Sequence, residues 1–318
     1  MSVLFLTEDD VAWLLDLPSA IEIVERVFLG WQRGEVDNQP RRRVSLPGAM
    51  LHVMSAAVHY AGYLGVKAYL TTRSVARFHL LLYRAETGTL EAIVEANHLG
   101  RVRTGATSAV ATRHMAIHSA RVVGCFGTGF QARTQLQAIC QVRRIESIEV
   151  YSRREEHRQR FAEEMTELCN LPVAPVPLPD QAAADKDIVI TATSSRTPVF
   201  DGRVLSEGTH INAIGSNFLN KAELDVTTVR RADHVVCDNL EACQLEAGDL
   251  VPAVEAGVID WPRVKELRDV VAGLETGRAT DSDITLFKSV GLAMEDVAVG
   301  VHVLQRAQQE RIGQSLPL

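Results

Sequence analysis

The chain has 318 residues, with 33 basic and 40 acidic side chains and a hydrophobic share of 46%, which is enough apolar mass for a full core and excludes disordered, collagen-like and disulfide-scaffold classes. A net charge of −7 without clustered Lys and Arg excludes a nucleic-acid partner. No apolar run approaches the ~20 residues of a spanning helix, and MSVLFLTEDD at the start has no basic region, so neither a membrane partner nor a secretory leader is expected. The five cysteines are dispersed and form no CxxC, which suits reduced thiols in a cytoplasmic protein. At ~150 residues per domain the length predicts two domains or one elaborated domain.

Pro18-Ser19 opens a helix over 18–33, whose Ile21, Val24, Val27, Phe28 and Trp31 recur at helical spacing. From 50 to 95 the texture is β-rich, and Glu86-Thr87-Gly88-Thr89 reads as a hairpin turn between two strands. Residues 101–118 return to helix, with small residues (Gly105, Ala106, Ser108, Ala109, Ala111) for close packing. Strands at 121–126, 147–151, 187–192, 209–214 and 233–238 then alternate with helices, of which 130–143 and 155–169 are the clearest. Such alternation means βαβ units and a parallel sheet covered by helices. LPVAPVPLPD at 171–180 crosses from a helix through a short strand to the next helix. The last helix is placed at 285–311 from the apolar series Leu286, Val290, Ala293, Val297, Val301 and Leu304, with Asp281 and Asp283 as its caps.

Gly127-Thr128-Gly129-Phe130-Gln131-Ala132 lies between an apolar strand and a helical pattern, the setting a GxGxxA fingerprint for a dinucleotide requires. Gly127 permits the tight turn, Gly129 lets backbone approach a pyrophosphate at the helix N-terminus, and Ala132 lets helix and strand pack closely. The second strand ends in Ser152-Arg153-Arg154, with no acid for a ribose 2′-hydroxyl and two guanidiniums for a 2′-phosphate, so NADP(H) is preferred over NAD(H). The alternative is a solvated basic stretch whose arginines pair with Glu155 and Glu156. No metal is expected, since the ten histidines form no HExxH; His52, His59 and His79 read as hydrogen-bonded structural residues. Ser194 and Ser195 lack a GxSxG elbow, which leaves no hydrolase triad.

Six motifs in order along the chain resemble the ornithine cyclodeaminase/mu-crystallin family: Gln39-Pro40 with Arg42, Gly65-Val66-Lys67, Arg103-Thr104-Gly105-Ala106, GTGFQA at 127–132, HINAIGS at 210–216 and FKSVGLAMED at 287–296. The resemblance implies an α/β protein in which a Rossmann-type doubly wound parallel sheet (119–295) accompanies an α+β substrate-binding and dimerisation domain (1–118 with 296–318), assembled as a homodimer. It implies that Arg42 and Arg103 hold the carboxylate of a small imino or amino acid and that Lys67 serves its imine side. Guanidiniums bind carboxylates bidentately and a lysine can protonate a C=N nitrogen. Bland alternatives stand beside these roles: an exposed Arg41–Arg43 run, a structural ion pair for Arg103, and a Lys67 that snorkels to water. The resemblance also places Asn97, Thr193, Lys221 and Ser289 at the cofactor or the substrate, and substrate specificity in TTRSVARFH at 71–79. His98, just before the Arg103 motif, is a further candidate for the substrate cleft.

Asn217 departs from the family's cyclodeaminases and alanine dehydrogenases, which carry an Asp after this strand. An amide orients substrate or water but exchanges no proton, which moves weight toward reduction of a preformed imine unless Asp225 or a water substitutes. The resulting expectation is an NADP(H)-preferring reductase of small α-imino acids such as Δ1-pyrroline-2-carboxylate. The alternatives are an ornithine cyclodeaminase, an alanine dehydrogenase-like enzyme, and a non-catalytic NADPH-binding crystallin-type protein.

Overall fold

The computed structural model describes residues 2–317 and divides into two compact units, the residues up to Ala106 with those from Gly291 onward, and Thr107–Val290. In the first, β1 (Ser2–Leu6) leads through α1 (Glu8–Leu14) and α2 (Leu17–Gln32) to β2 (Val36–Asn38), β3 (Arg42–Leu46), β4 (Ala49–Val58), β5 (Tyr63–Thr72), β6 (Ala76–Arg84) and β7 (Leu90–Glu95). α3 (Asn97–Met115) carries the chain into the second unit, so the expected boundary at 118 falls past its end and not within it. There follow β8 (Val122–Phe126), α4 (Phe130–Val142), β9 (Ser147–Tyr151), α5 (Glu155–Cys169), β10 (Val173–Pro175), β11 (Ile188–Thr191) and β12 (His210–Ala213). The unit closes with α6 (Val226–Arg231), β13 (His234–Cys237), α7 (Leu240–Glu246), α8 (Val251–Glu255), β14 (Lys265–Glu266), α9 (Leu267–Val271) and β15 (Thr285–Lys288). The chain then returns to the first unit as α10 (Ala293–Glu310) and β16 (Gln314–Pro317).

The first unit is built on a mixed sheet of order β16-β1-β7-β6-β5-β4-β2, with β3 also on β4. Period-two alternation makes it two-faced. Along β5, Tyr63, Gly65, Lys67 and Tyr69 are buried, whereas Leu64 and Leu70 are exposed. α10 packs on β4, β5 and β6, with Val297 beside Gly65 and Gly300 beside Leu80. The other face carries Val44, Leu51, Val53, Leu64 and Leu70, all exposed, and is therefore an open apolar sheet face. Helix α2 forms where its periodicity places it, with Asp16 accepting from the Ser19 amide at 2.8 Å as N-cap and Ile21, Val24, Val27 and Phe28 buried.

The second unit is a fully parallel sheet of order β10-β9-β8-β11-β12-β15-β13-β14. The chain winds outward from β8 to β10, then resumes at β11 on the other side of β8, which puts the reversal of strand order between β8 and β11. Val123, Cys125, Ile148, Val150, Ile188 and Ile190 of the strands pack with Leu136, Ile139, Phe161 and Met165 of α4 and α5. The last helix differs from expectation. Thr285–Lys288 is a strand, buried along its whole length between β12 and β13, and the helix begins only at Ala293. A strand covered on both faces shows no alternation, so Leu286 fell in phase with the helical series that follows. Asp283 accordingly does not cap that helix; its carboxylate accepts from the Ala279 and Thr280 amides at 2.7 and 3.0 Å.

Gly124 sits in the middle of β8, where an added Cβ would lie 1.7 Å from the backbone carbonyl of Ala182. Backbone cannot swing aside as a side chain can, so Gly124→Ala is expected to cost about 3 kcal/mol of stability, read by chemical denaturation. A wild-type unfolding midpoint would contradict this packing.

Candidate functional site

In the second unit the loops after β8, β9, β11 and β12 enclose a cleft of about 940 Å³. It is lined by Gly127–Gln131, Tyr151–Arg154, His157, Ala192–Ser195, Val199, Ile214 and Gly215. It therefore lies at the carboxyl ends of the strands and spans the point where their order reverses, the place where such sheets bind ligands. Gly127 has φ of +107°, and an added Cβ would sit 2.4 Å from the Ala192 carbonyl, so the turn requires glycine. Gly129 differs: an added Cβ would meet no atom within 4 Å. It would stand in the open cleft. α4 starts at this point without a side-chain cap, leaving its first N–H groups for an anion. Ala132 is fully buried on the inner face of α4.

Ser152, Arg153, Arg154 and His157 form the β9 end of the cleft. Glu155 is engaged by Gln159 at 3.2 Å and by Arg158 at 4.0 Å, and among the described residues Arg153 and Arg154 have no ion pair. Thr193 lines the opposite end. Lys221 and Ser289 do not line the cleft. The Lys221 ammonium lies 4.9 Å from the Phe218 ring centroid, and Ser289 is buried with its hydroxyl donating to Asp238 at 2.9 Å. Asn217 is half-buried in the turn after β12. Asp225 is committed to capping α6, accepting from the Thr228 amide at 2.7 Å, the Thr228 hydroxyl at 2.8 Å and the Gly202 amide at 3.1 Å.

The first unit holds a second cluster. Lys67, only 2% exposed, donates to Asp296 Oδ1 at 2.6 Å. Arg103 of α3 donates to Glu295 at 2.6 Å and to the same Asp296 oxygen at 3.2 Å. Both acids are fully buried in the first turn of α10, where the helix N-terminus favours negative charge. The buried Arg41 guanidinium donates to the Gly291 carbonyl at 3.2 Å. Gly291 has φ of +81°, a conformation that favours glycine, and an added Cβ would lie 3.1 Å from the Arg103 guanidinium and 3.6 Å from that of Arg41. Phe78 and Tyr69 stack at 4.4 Å beside the lysine, whose ammonium is 5.4 Å from the Phe78 centroid. His52 stacks on Tyr69 at 4.1 Å and bonds Thr71 at 3.0 Å; burial, aided by Arg43 and Arg41, pushes its pKa down to about 4, so it is neutral at pH 7.

Burial likewise pulls Lys67 down to about 8, with Arg103 and Arg41 adding to the fall and Asp296 opposing it. Arg103 is held above its usual range because the two carboxylates outweigh its burial. The arginine that joins the cluster is Arg41 and not Arg42. Arg42 faces Val53 on the open side of the sheet and is exposed, since alternation along β3 sends neighbouring side chains to opposite faces. Asn97 and His98 stand at the start of α3, where Glu8 accepts their amides at 2.6 and 2.7 Å. Arg41, Glu295, Asp296 and His157 were not singled out in the sequence. Among the described residues no group of His, Cys, Asp and Glu is placed to hold a metal, and no helix is long and apolar enough to cross a membrane.

The model of the ornithine cyclodeaminase/mu-crystallin family matches residues 1–311. The chain belongs to that family. A Δ1-pyrroline-2-carboxylate reductase of Bacillus cereus is 36% identical over 238 residues, 74% of this chain and 73% of that protein. The structure of the Thermococcus litoralis Δ1-pyrroline-2-carboxylate reductase with NADH and L-proline matches at a TM-score of 0.95 and 33% identity, over 99% of this chain and 100% of that one. An archaeal alanine dehydrogenase dimer with bound NAD matches at 0.94 and 32%, over the full length of both.

A larger residue at position 129 tests the cleft without disturbing the fold. Gly129→Val is expected to leave the unfolding midpoint unchanged while weakening NADH binding at least tenfold, about 1.4 kcal/mol, by fluorescence titration. Unchanged NADH affinity would contradict the placement of the pyrophosphate.

Proposed function

We propose that the protein is an NAD(P)H-dependent oxidoreductase that reduces a small α-imino acid, of the Δ1-pyrroline-2-carboxylate kind, to the L-amino acid. The observation that carries this reading is the buried cluster itself, in which Arg41, Lys67 and Arg103 gather around Glu295, Asp296 and the Gly291 carbonyl. Guanidiniums bind a carboxylate bidentately and an ammonium beside them can serve an imine nitrogen, so the donors that a small imino acid needs stand together there. Gly127–Gln131 and the α4 N-terminus fit the pyrophosphate of the dinucleotide. When bound, the reduced cofactor supplies the hydride.

The roles of the chain's own side chains follow from their chemistry. Arg41 and Arg103 bind the carboxylate, their guanidiniums held by Gly291 and by the two acids. Lys67 hydrogen-bonds or protonates the imine nitrogen, with Asp296 fixing its ammonium. A lysine poised near 8 is charged at pH 7 and donates, and above pH 8 it becomes neutral and accepts. The same group thus serves amine oxidation in alkaline solution, which supports a second reading as an alanine dehydrogenase-like enzyme. Asn217 orients substrate or water. Neither it nor Asp225, whose oxygens are committed to capping, supplies the carboxylate a cyclodeaminase needs. The open apolar sheet face supports a homodimer, and the reduced cysteines suit a cytoplasmic setting.

Steady-state kinetics on Δ1-pyrroline-2-carboxylate test the assignment. Arg41→Met is expected to lower kcat/KM at least 100-fold, as loss of a charged hydrogen-bond donor implies, whereas Arg42→Met changes it about threefold or less. The reverse order would restore Arg42 to the clamp. Reduction by the wild-type protein is expected to fall as pH rises through about 8, where Lys67 loses its proton. A flat profile to pH 10 would remove Lys67 as the donor.

The cofactor is read as NADPH in preference to NADH, on Ser152, Arg153, Arg154 and His157 at the β9 end of the cleft and the lack of a carboxylate in its lining. The kcat/KM ratio for NADPH over NADH is expected to exceed unity and to drop about tenfold in the Arg153→Ala, Arg154→Ala double variant. A ratio below one in the wild type would assign the cofactor to NADH.

A further inference from the structure

One buried side chain ties together the carboxyl ends of β11 and β12. Glu223 is fully buried. Its Oε1 accepts the Thr193 amide at 2.6 Å, and its Oε2 accepts the Gly215 amide at 2.8 Å and the Thr191 hydroxyl at 2.9 Å. Gly215 is part of this arrangement, because an added Cβ would sit 2.4 Å from the Glu223 carboxylate. Thr193 and Gly215 both line the cleft, so the carboxylate braces its floor from behind.

The brace is itself anchored. Asp249, buried alongside, accepts the Glu223 and Leu224 amides. Lys288, fully buried at the end of β15, pairs with Asp249 at 2.7 Å and donates to the Ser216 carbonyl at 2.7 Å. The segment from Gly215 to Glu223 is thus held at both ends by charged groups that never reach water. A buried ionic network of this kind is a poor source of stability, since hydrophobic replacement is often as good. Its effect here is to fix two backbone amides at the edge of a ligand site.

We propose that Glu223 is a positioning residue for the nicotinamide half of the dinucleotide, holding the β11 and β12 ends in the shape that half requires. The assignment of halves rests on the reading of the cleft as the dinucleotide site. With the pyrophosphate at the α4 N-terminus and the ribose 2′ position at the β9 end, the nicotinamide half belongs at the β11 and β12 end.

A split between ligands separates positioning from a general structural role. Titration calorimetry on the full-length protein would compare NADH with ADP-ribose, which lacks the nicotinamide. Glu223→Gln cannot accept three donors, because its nitrogen accepts none. It is expected to weaken NADH about tenfold and ADP-ribose less than twofold, the former being what loss of a charged hydrogen bond implies. Equal weakening of both ligands, or no weakening of either, overturns the proposal. Should Glu223→Gln fail to fold, Thr191→Val removes one of the three donors and is expected to show the same split at about threefold for NADH; its absence overturns the proposal equally. Wild-type protein that binds neither ligand overturns the cleft assignment, and the inference with it.

Discussion

Burying a lysine requires an answer to its charge, and the rest of the first unit is arranged around that answer. Without a partner the ammonium of Lys67 would shed its proton or unfold the sheet around it. Asp296 supplies the partner, and can do so only because α10 begins where it does, with its N-terminus turned toward the lysine and Gly291 leaving room for two guanidiniums. Arg103 shares the Asp296 oxygen, so the three charges hold one another in place.

The second unit solves a different problem with the same means. The backbone at Gly127 and Gly129 leaves the cleft open beside the start of α4, and Glu223, held beside Asp249 and Lys288, ties the ends of β11 and β12 together. In both units buried charged groups set the geometry of the groups around them.

Much of this was legible in the sequence. The parallel sheet, the GTGFQA turn and the acid-free end of β9 follow from local pattern, because each is written in contiguous residues. Lys67 and Arg103 were reached through a resemblance, and the structure brings them together. The remainder depends on contacts that local pattern does not encode. Arg41 joins the buried cluster and Arg42 the open face by a shift of one residue, set by where the irregular segment after β2 joins β3. Glu295 and Asp296 lie within the FKSVGLAMED motif, but reading 285–311 as one helix gave them no part of their own, because only the start of α10 at Ala293 puts them in its first turn. Glu223 lies in an irregular loop with no period to mark it as buried, and only its three donors reveal its place.

The central claim is that this chain consumes reduced cofactor to make an amino acid from an imine. Absorbance at the nicotinamide band, followed with purified protein, NADPH or NADH and Δ1-pyrroline-2-carboxylate, tests it most directly when a parallel reaction holds L-ornithine and NAD. The account predicts stoichiometric loss of reduced cofactor and formation of L-proline in the first, with no ammonia in the second. Proline and ammonia from ornithine, with no net change in cofactor and no turnover of the imine, would contradict it.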